Sequence, residues 1–265
     1  GVSVGQTVIG FTSIASAKVL ALRGANQIVV SRITGTFEYG EVLTVLGIPV
    51  GALTQDASDV TGHDENTFLK MAEDDYRADI AAVPGSGPMR GIAVLGGYVF
   101  AWRDNAGGTA CDIHRSSPTG WTPVSLFKEL AFTAGSGTAP AEGSTITKIG
   151  VTATVKRVVL QTGTWAAGTA AGRFIVDAVS GGSFSAGAFT AGVTATCSGA
   201  ETQITLLPGG RLDHAVYNFT GLAGNQRIYG ADGVNKGFEF DGAVYIPITT
   251  GMAADAPIHC VAHRN

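Results

Sequence analysis

Charge is what this sequence has least of. Of 265 residues only 17 are Lys or Arg and 21 are Asp or Glu, 14% in all, against about 25% in an ordinary soluble domain. The basic residues are scattered (Arg23, Arg32, Arg90, Arg103, Arg115), and only Lys156 and Arg157 are adjacent among them. That pattern and a net charge of −4 argue against a nucleic-acid groove, which needs clustered cations facing phosphates. Cysteine is nearly absent too. Cys111, Cys197 and Cys260 are odd in number, far apart and outside any CxxC spacing, so neither a disulfide framework nor a zinc ribbon is supported, and free thiols are expected. No apolar run is long enough to span a membrane as a helix, and no signal peptide is recognisable.

What the chain has in excess is glycine, 38 residues, on a background that is 45% hydrophobic. Glycine at that level, with Ala, Thr, Ser and Val, predicts many short strands joined by tight turns. Low surface charge also suggests that neighbouring chains cover much of the surface, because a free monomer usually carries more charge.

One glycine-anchored phrase recurs. It runs through Ile33–Leu43, through Val179–Phe189 and, in part, through Val2–Val8. An apolar residue (Phe37, Phe184, Val2) is followed by two variable residues and a glycine (Gly40, Gly187, Gly5), and apolar alternation then resumes. This predicts a strand end whose apolar side chain packs down, a turn with positive φ at Gly, and a returning strand. Residues 1–55 and about 145–210 should therefore fold as similar small β-modules.

Residues 64–81 alone carry helical periodicity. Asp64, Glu65 and Asn66 would cap and charge the first turn, Phe68, Leu69, Ala72, Tyr76 and Ile80 would form the apolar stripe, and Pro84, Gly85 and Gly87 would end it. Residues 90–125 and 226–245 read as antiparallel meanders. Gly91–Asp104 gives a strand, a Gly96-Gly97 turn and a strand, and Gln226–Tyr245 repeats the rhythm, with Asp104 and Asp232 at matching turn positions and Trp121 and Tyr245 beyond. Short meanders with aromatic-Gly-Asp turns have the texture of β-propeller blades. The expected fold is all-β, with propeller-like blades, small inserted β-modules and one α-helix. Its divisions are a β-module at 1–62, helix and linker at 63–88, blade strands at 89–135, an inserted β-module at 136–212 and blade strands at 213–265. Both ends cut through strand-like sequence, as in a piece of a longer protein.

Catalytic signatures are weak throughout. Gly85–Gly91 is Gly-rich, but Pro88 and its place after a helix spoil both nucleotide-loop patterns. Ser185 lacks the upstream glycine of a nucleophile elbow, since Ser183 stands there. His259 and Cys260 would face opposite sides of a strand, with His263 nearby and neither His63 nor His114 spaced as a partner. The Asp74-Asp75 pair reads as the wet face of a helix, the Lys156-Arg157 pair as a solvated strand edge, and the Asn218-Phe219-Thr220 sequon as an accident. No catalytic, cofactor-binding or metal-binding residue is assigned.

Several phrases resemble virion proteins of tailed bacteriophages: Asp75–Gly87 with Arg90-Gly91, Tyr98–Asn105, Leu206–Arg211, Asn218–Gly221, Tyr229–Gly233 and Ile246–Met252. They touch about half of the chain, and within that group the tail nozzle or tail tubular proteins are the nearest type. The resemblance implies a structural role in the virion tail, assembled in the host cytoplasm. It implies a homo-oligomeric, hexameric ring of propellers that prolongs the DNA conduit below portal and adaptor proteins and docks tail fibres. DNA would pass without sequence-specific binding. Only two blade-like units are recognisable here, where a closed propeller takes about four or more. Asp56, Asp59, Asp64, Glu65, Glu73 and Asp74 are candidates for a channel or rim face. Two rivals are a receptor- or glycan-binding decoration module using Trp102, Trp121, Trp165 and Tyr245, and a propeller glycosidase with Asp104 and Asp232 as its acids.

Overall fold

A computed structural model describes residues 1–62, 64–222 and 224–263. Strands make up 44% of it and helix 5%, so the all-β expectation holds. The chain divides into two compact units, 1–81 and 82–265.

The first unit is a five-stranded antiparallel sheet with spatial order β3-β2-β1-β4-β5. It contains β1 (Thr7–Gly10), β2 (Ser16–Arg23), β3 (Gln27–Thr34), β4 (Val42–Val45) and β5 (Ile48–Ala52), followed by helix α1 (Glu65–Ala78). Alternation buries Val8, Ala17, Val19, Leu43 and Val45 with Phe37 on one face. The helix lies where periodicity places it, but its apolar stripe is not buried: no residue of α1 is. Electrostatics anchor it instead. Asp75 accepts from Lys18 and, at 2.6 Å, from Arg32 Nε, and the Arg32 guanidinium lies 4.9 Å from the Tyr76 ring centroid. Asp64 occupies the N-cap without a capping hydrogen bond and pairs with Arg23 at 2.6 Å.

The second unit holds three sheets. Strands β6 (Met89–Leu95), β7 (Tyr98–Asp104), β8 (Cys111–Ser117) and β9 (Gly120–Pro123) form one four-stranded meander. Its first turn is Gly96-Gly97, φ +58° and +81°, the pair of left-handed residues that a two-residue hairpin needs. A seven-stranded sheet, curled into a half-barrel, comprises β10 (Lys128–Ser136), β11 (Thr145–Lys148), β12 (Val151–Thr162), β13 (Ala170–Ser180), β14 (Gly187–Ala188), β15 (Thr194–Cys197) and β16 (Thr202–Gln203). It begins at Lys128 rather than residue 136, because β10 pairs with β13, β15 and β16. Its core centres on Phe132 and Phe174, stacked 4.2 Å apart, with Trp165 against Phe132 at 5.2 Å. The second meander is β17 (Asp213–Tyr217), β18 (Arg227–Ala231), β19 (Phe238–Phe240) and β20 (Tyr245–Pro247).

The two meanders pack face to face through Phe100, Trp102, Phe238, Phe240 and Tyr245, joined by Ile175 of the curled sheet. Phe100 meets Phe240 edge to face at 5.0 Å. Full burial of each such ring contributes roughly 1.5–3 kcal/mol.

The recurring phrase has a structural counterpart, and four copies of it rather than three. Gly5, Gly40 and Gly143 have φ of +87°, +81° and +82°. Each donates its N–H across the hairpin, to Val19, Leu53 and Val155 at 2.8, 3.0 and 2.7 Å. The same residues donate back to Gln6, Glu41 and Ser144 at 2.9, 2.9 and 2.9 Å. Gly187, φ +124°, opens β14. In both units the residues four beyond the two turn glycines pair antiparallel, Ile9 with Thr44 and Ala191 with Thr147. Phe37 and Phe184 are buried as expected. The copy at Gly143 has buried Pro140 in the place of the phenylalanine.

Candidate functional site

Polar chemistry in this protein is concentrated in four ion-pair clusters. In the first unit the Asp75 carboxyl is pulled down to about 2 by its hydrogen bonds to Lys18 and Arg32. The acidic candidates divide: Asp74 pairs with Arg77 at 3.2 Å, Asp64 with Arg23, while Asp56, Asp59, Glu65 and Glu73 are exposed. Asp75 is therefore not on a wet helix face but is spent as the anchor of α1.

Asp104 and Asp232 sit at corresponding ends of β7 and β18 but do different work. Asp104 is buried and accepts from Arg90 Nε at 2.8 Å; that bond holds its carboxyl below the usual range, against the opposing effect of burial. Asn105 caps the adjacent turn by accepting the Thr109 N–H at 2.9 Å. Asp232 caps its own turn, accepting from the N–H groups of Val234 and Asn235 at 2.9 and 2.6 Å. Both carboxylates act on Cys111, whose thiol is pushed up to about 12, first by burial and then by Asp104 and Asp232. Such a thiol is inert at neutral pH. Cys197 is buried and Cys260 half-buried, and all three are free.

Arg157 corrects the expectation of a solvated pair with Lys156. The two side chains diverge along β12. Lys156 lies 5.1 Å from the Phe127 ring and 3.4 Å from Asp177. Arg157 reaches Glu142 at 2.5 Å, Asp241 at 2.6 Å and Glu239 at 3.8 Å, clamping the curled sheet to the second meander. Arg173 acts beside it, pairing with Glu129 at 2.6 Å and donating to the Pro247 carbonyl. In the fourth cluster Glu201 accepts from the Phe184 N–H at 3.1 Å and from Lys128 at 3.2 Å, so it fixes one copy of the turn. Glu41 does the same at another, accepting from the N–H groups of Glu38 and Ser13 at 2.6 and 3.1 Å.

The remaining expected sites resolve as scaffolding. The Gly85–Gly91 loop is held on β7, where Arg103 Nε donates to Gly87 O at 2.8 Å. A Cβ at Gly87 would lie 2.3 Å from Asp104 O, so the glycine serves close backbone packing. Ser185 is exposed in the loop before β14. His259 Nδ1 lies 3.2 Å from Asp213 Oδ2, which also accepts the Cys260 N–H at 3.1 Å. No group of three or more His, Cys, Asp or Glu side chains among the described residues is placed to hold a metal ion. His63 lies outside the described residues. Asn218 of the sequon folds back on its own loop, accepting from Thr220 and Gly221.

Two of the four glycan-platform residues are core aromatics rather than surface ones. Trp102 and Tyr245 are buried, Trp165 stacks on Phe132 and Trp121 is half-buried. Alternation carries the reason: Phe100 and Trp102 are two apart on β7 and share the core face. Among the described residues the most exposed aromatics are Phe11, Tyr39, Tyr76, Tyr98 and Phe219. In the second unit an open cleft of about 350 Å³ is lined by Met89, Arg90, Gly91, Ile92, Gly210 and Arg211. Comparison with protein-family models, with curated proteins and with solved structures finds no match.

Proposed function

We propose that this chain is a structural component of a tailed-phage virion, a nozzle- or tube-type tail protein that assembles as a homo-oligomeric ring. One observation carries the assembly part. Three large apolar residues sit at exposed turns with positive φ: Ile14 (φ +59°), Leu46 (φ +51°) and Ile149 (φ +48°), exposed by 79%, 93% and 78%. Leu46-Gly47 and Ile149-Gly150 are the tips of two-residue hairpins, where Asn or Asp would relieve the strain. Left-handed backbone costs an L-residue about 1–2 kcal/mol, and bare aliphatic surface adds nothing in water. A residue that is both strained and exposed suits a contact with another chain. The charged groups, meanwhile, are engaged mostly in internal ion pairs.

In this reading six copies surround a lumen, join the conduit below portal and adaptor, dock fibres, and let DNA slide on weak contacts. The two face-to-face meanders serve as propeller blades and the curled sheet as the module inserted between them. Electron microscopy of the purified chain tests it. Closed rings with an open lumen support the reading, and monodisperse single copies overturn it. A tight, steeply salt-dependent DNA complex would also contradict the conduit role.

A further inference from the structure

Among the described residues His114 is the one buried histidine, and its Nδ1 is shut off from solvent with no hydrogen-bond partner. Strand register gives the reason. On the outer face of the first meander His114 of β8 shares a cross-strand row with Ile92 of β6, Ala101 of β7 and Pro123 of β9. None of those three side chains can accept a hydrogen bond, and Ala101 is fully buried. A neutral imidazole fits this row, because with its proton on Nε2 it presents only a lone pair at Nδ1. Protonation adds an N–H there, and so puts an unpaired donor and a charge into the same buried place.

Two charged groups face the imidazole. Asp112 lies two residues back along β8 and so shares the face, and Arg103 of β7 stands opposite Asp112. From β6 the same face receives Met89, Ile92 and Val94, and from β9 Trp121 and Pro123, none of which titrates. Burial lowers the His114 pKa from its ordinary value; Asp112 opposes that and Arg103 adds to it. Arg103 is also a tether. Its Nε donates to the Gly87 carbonyl at 2.8 Å and its Nη1 to the Val83 carbonyl, so the segment leading into β6 hangs on the guanidinium that faces His114.

We propose that His114 is an acid-sensitive latch of the first meander: neutral, it lets β7, β8 and β9 pack around it, and protonated, it loosens them together with the 83–87 segment. The direction follows from the geometry. A histidine that the fold accepts in its neutral form contributes stability that is complete above the unfolded pKa, near 6.5. That stability is lost as pH falls from there through the lower folded value. Residues 128–203, the curled sheet, contain no histidine. Mild acid should therefore spare that sheet and open the meander locally. The latch belongs to the single chain and holds whether or not copies form a ring.

Two measurements on the whole chain test it. The first follows the carbon-bound ring proton of His114 by NMR in the wild type from about pH 8 to about pH 5, the range in which an ordinary histidine changes charge. The second compares amide-exchange protection, corrected for the intrinsic rate, at both ends of that range in wild type and in His114→Gln, which is polar and never charged. The ring should titrate below 6.5. At the acid end the wild type should lose protection several-fold across 83–88 and 111–123 and keep it across 128–180, while His114→Gln keeps it throughout. A ring that titrates at 6.5 or higher would overturn the latch, and that result needs the wild type alone, so it stands even where the variant does not fold. A folded variant that loses protection at 83–88 as the wild type does would overturn it too, and so would a wild type whose meander is equally protected at both ends.

Discussion

Replacing three of the turn glycines by alanine should cost nearly the same free energy at each, if the turns are one motif used repeatedly. Gly5, Gly40 and Gly143 share φ values within 6°, and a Cβ at any of them would meet nothing within 4 Å. The penalty is therefore conformational alone. The left-handed region costs alanine about 1–2 kcal/mol. Removing glycine's freedom from the unfolded chain returns roughly 0.4–1 kcal/mol, leaving a net of about 1 kcal/mol. Gly192 is the internal contrast. It has φ +84°, but its Cβ would sit 2.1 Å from the Thr145 carbonyl oxygen, so β11 has to move and the loss should exceed about 3 kcal/mol. With a urea dependence of roughly 2 kcal/mol per molar, the first three substitutions shift the midpoint of their own unit by about 0.5 M. Gly→Asn at the same sites should be milder, because Asn tolerates this conformation. A Gly143→Ala protein as stable as wild type, beside a Gly40→Ala protein that is not, would refute the common motif.

Asp75→Asn should loosen α1 without unfolding the sheet, because the helix has no buried residue and that carboxylate is the least exposed of the three, with Asp64 and Asp79, that tie it to β2 and β3; amide exchange should rise across 65–78 and stay slow in β2. Since the Asp75 carboxyl is depressed to about 2, the docking is fully present above the ordinary carboxylate range near 4 and is lost as pH falls through about 2. Arg157→Ala should destabilise the second unit by about 2–3 kcal/mol, the cost of leaving a partly buried carboxylate unpaired. Burial pushes the Asp241 carboxyl up, yet the Val244 and Ala243 N–H groups and Arg157 hold it below its usual value. Its contribution is present above the unfolded pKa and lost as pH falls through the folded one, so the variant should lose less stability on acidification than wild type does, read as urea midpoints at pH 7 and pH 3.

Much of this architecture is legible in the chain, and the failures have local causes. Turn glycines, the Gly96-Gly97 hairpin and the alternating strands follow from φ preference and a period of two. The Gly143 copy escapes because Pro140 and Ala141 disguise it, although the step of Gly, then a buried Ile146, then Thr147 repeats Gly40, Leu43, Thr44. Helix α1 is visible from its period, but its anchoring is not, because Asp75 meets Lys18 and Arg32 across 57 and 43 residues. Arg157 is hidden for the same reason, with Asp241 84 residues away. Trp102 and Tyr245 are misplaced when aromatics are judged by residue type rather than by strand parity. The exposed Phe219 did have a signal, an Asn218 turn holding it away from any strand.

The most direct measurement is immunogold electron microscopy of intact tailed-phage particles that carry this gene, with antibodies raised against the purified chain. Gold clustered at the tail, in register with a ring below the portal, is the expected result. Particles that infect normally but contain no trace of the chain would contradict the structural role.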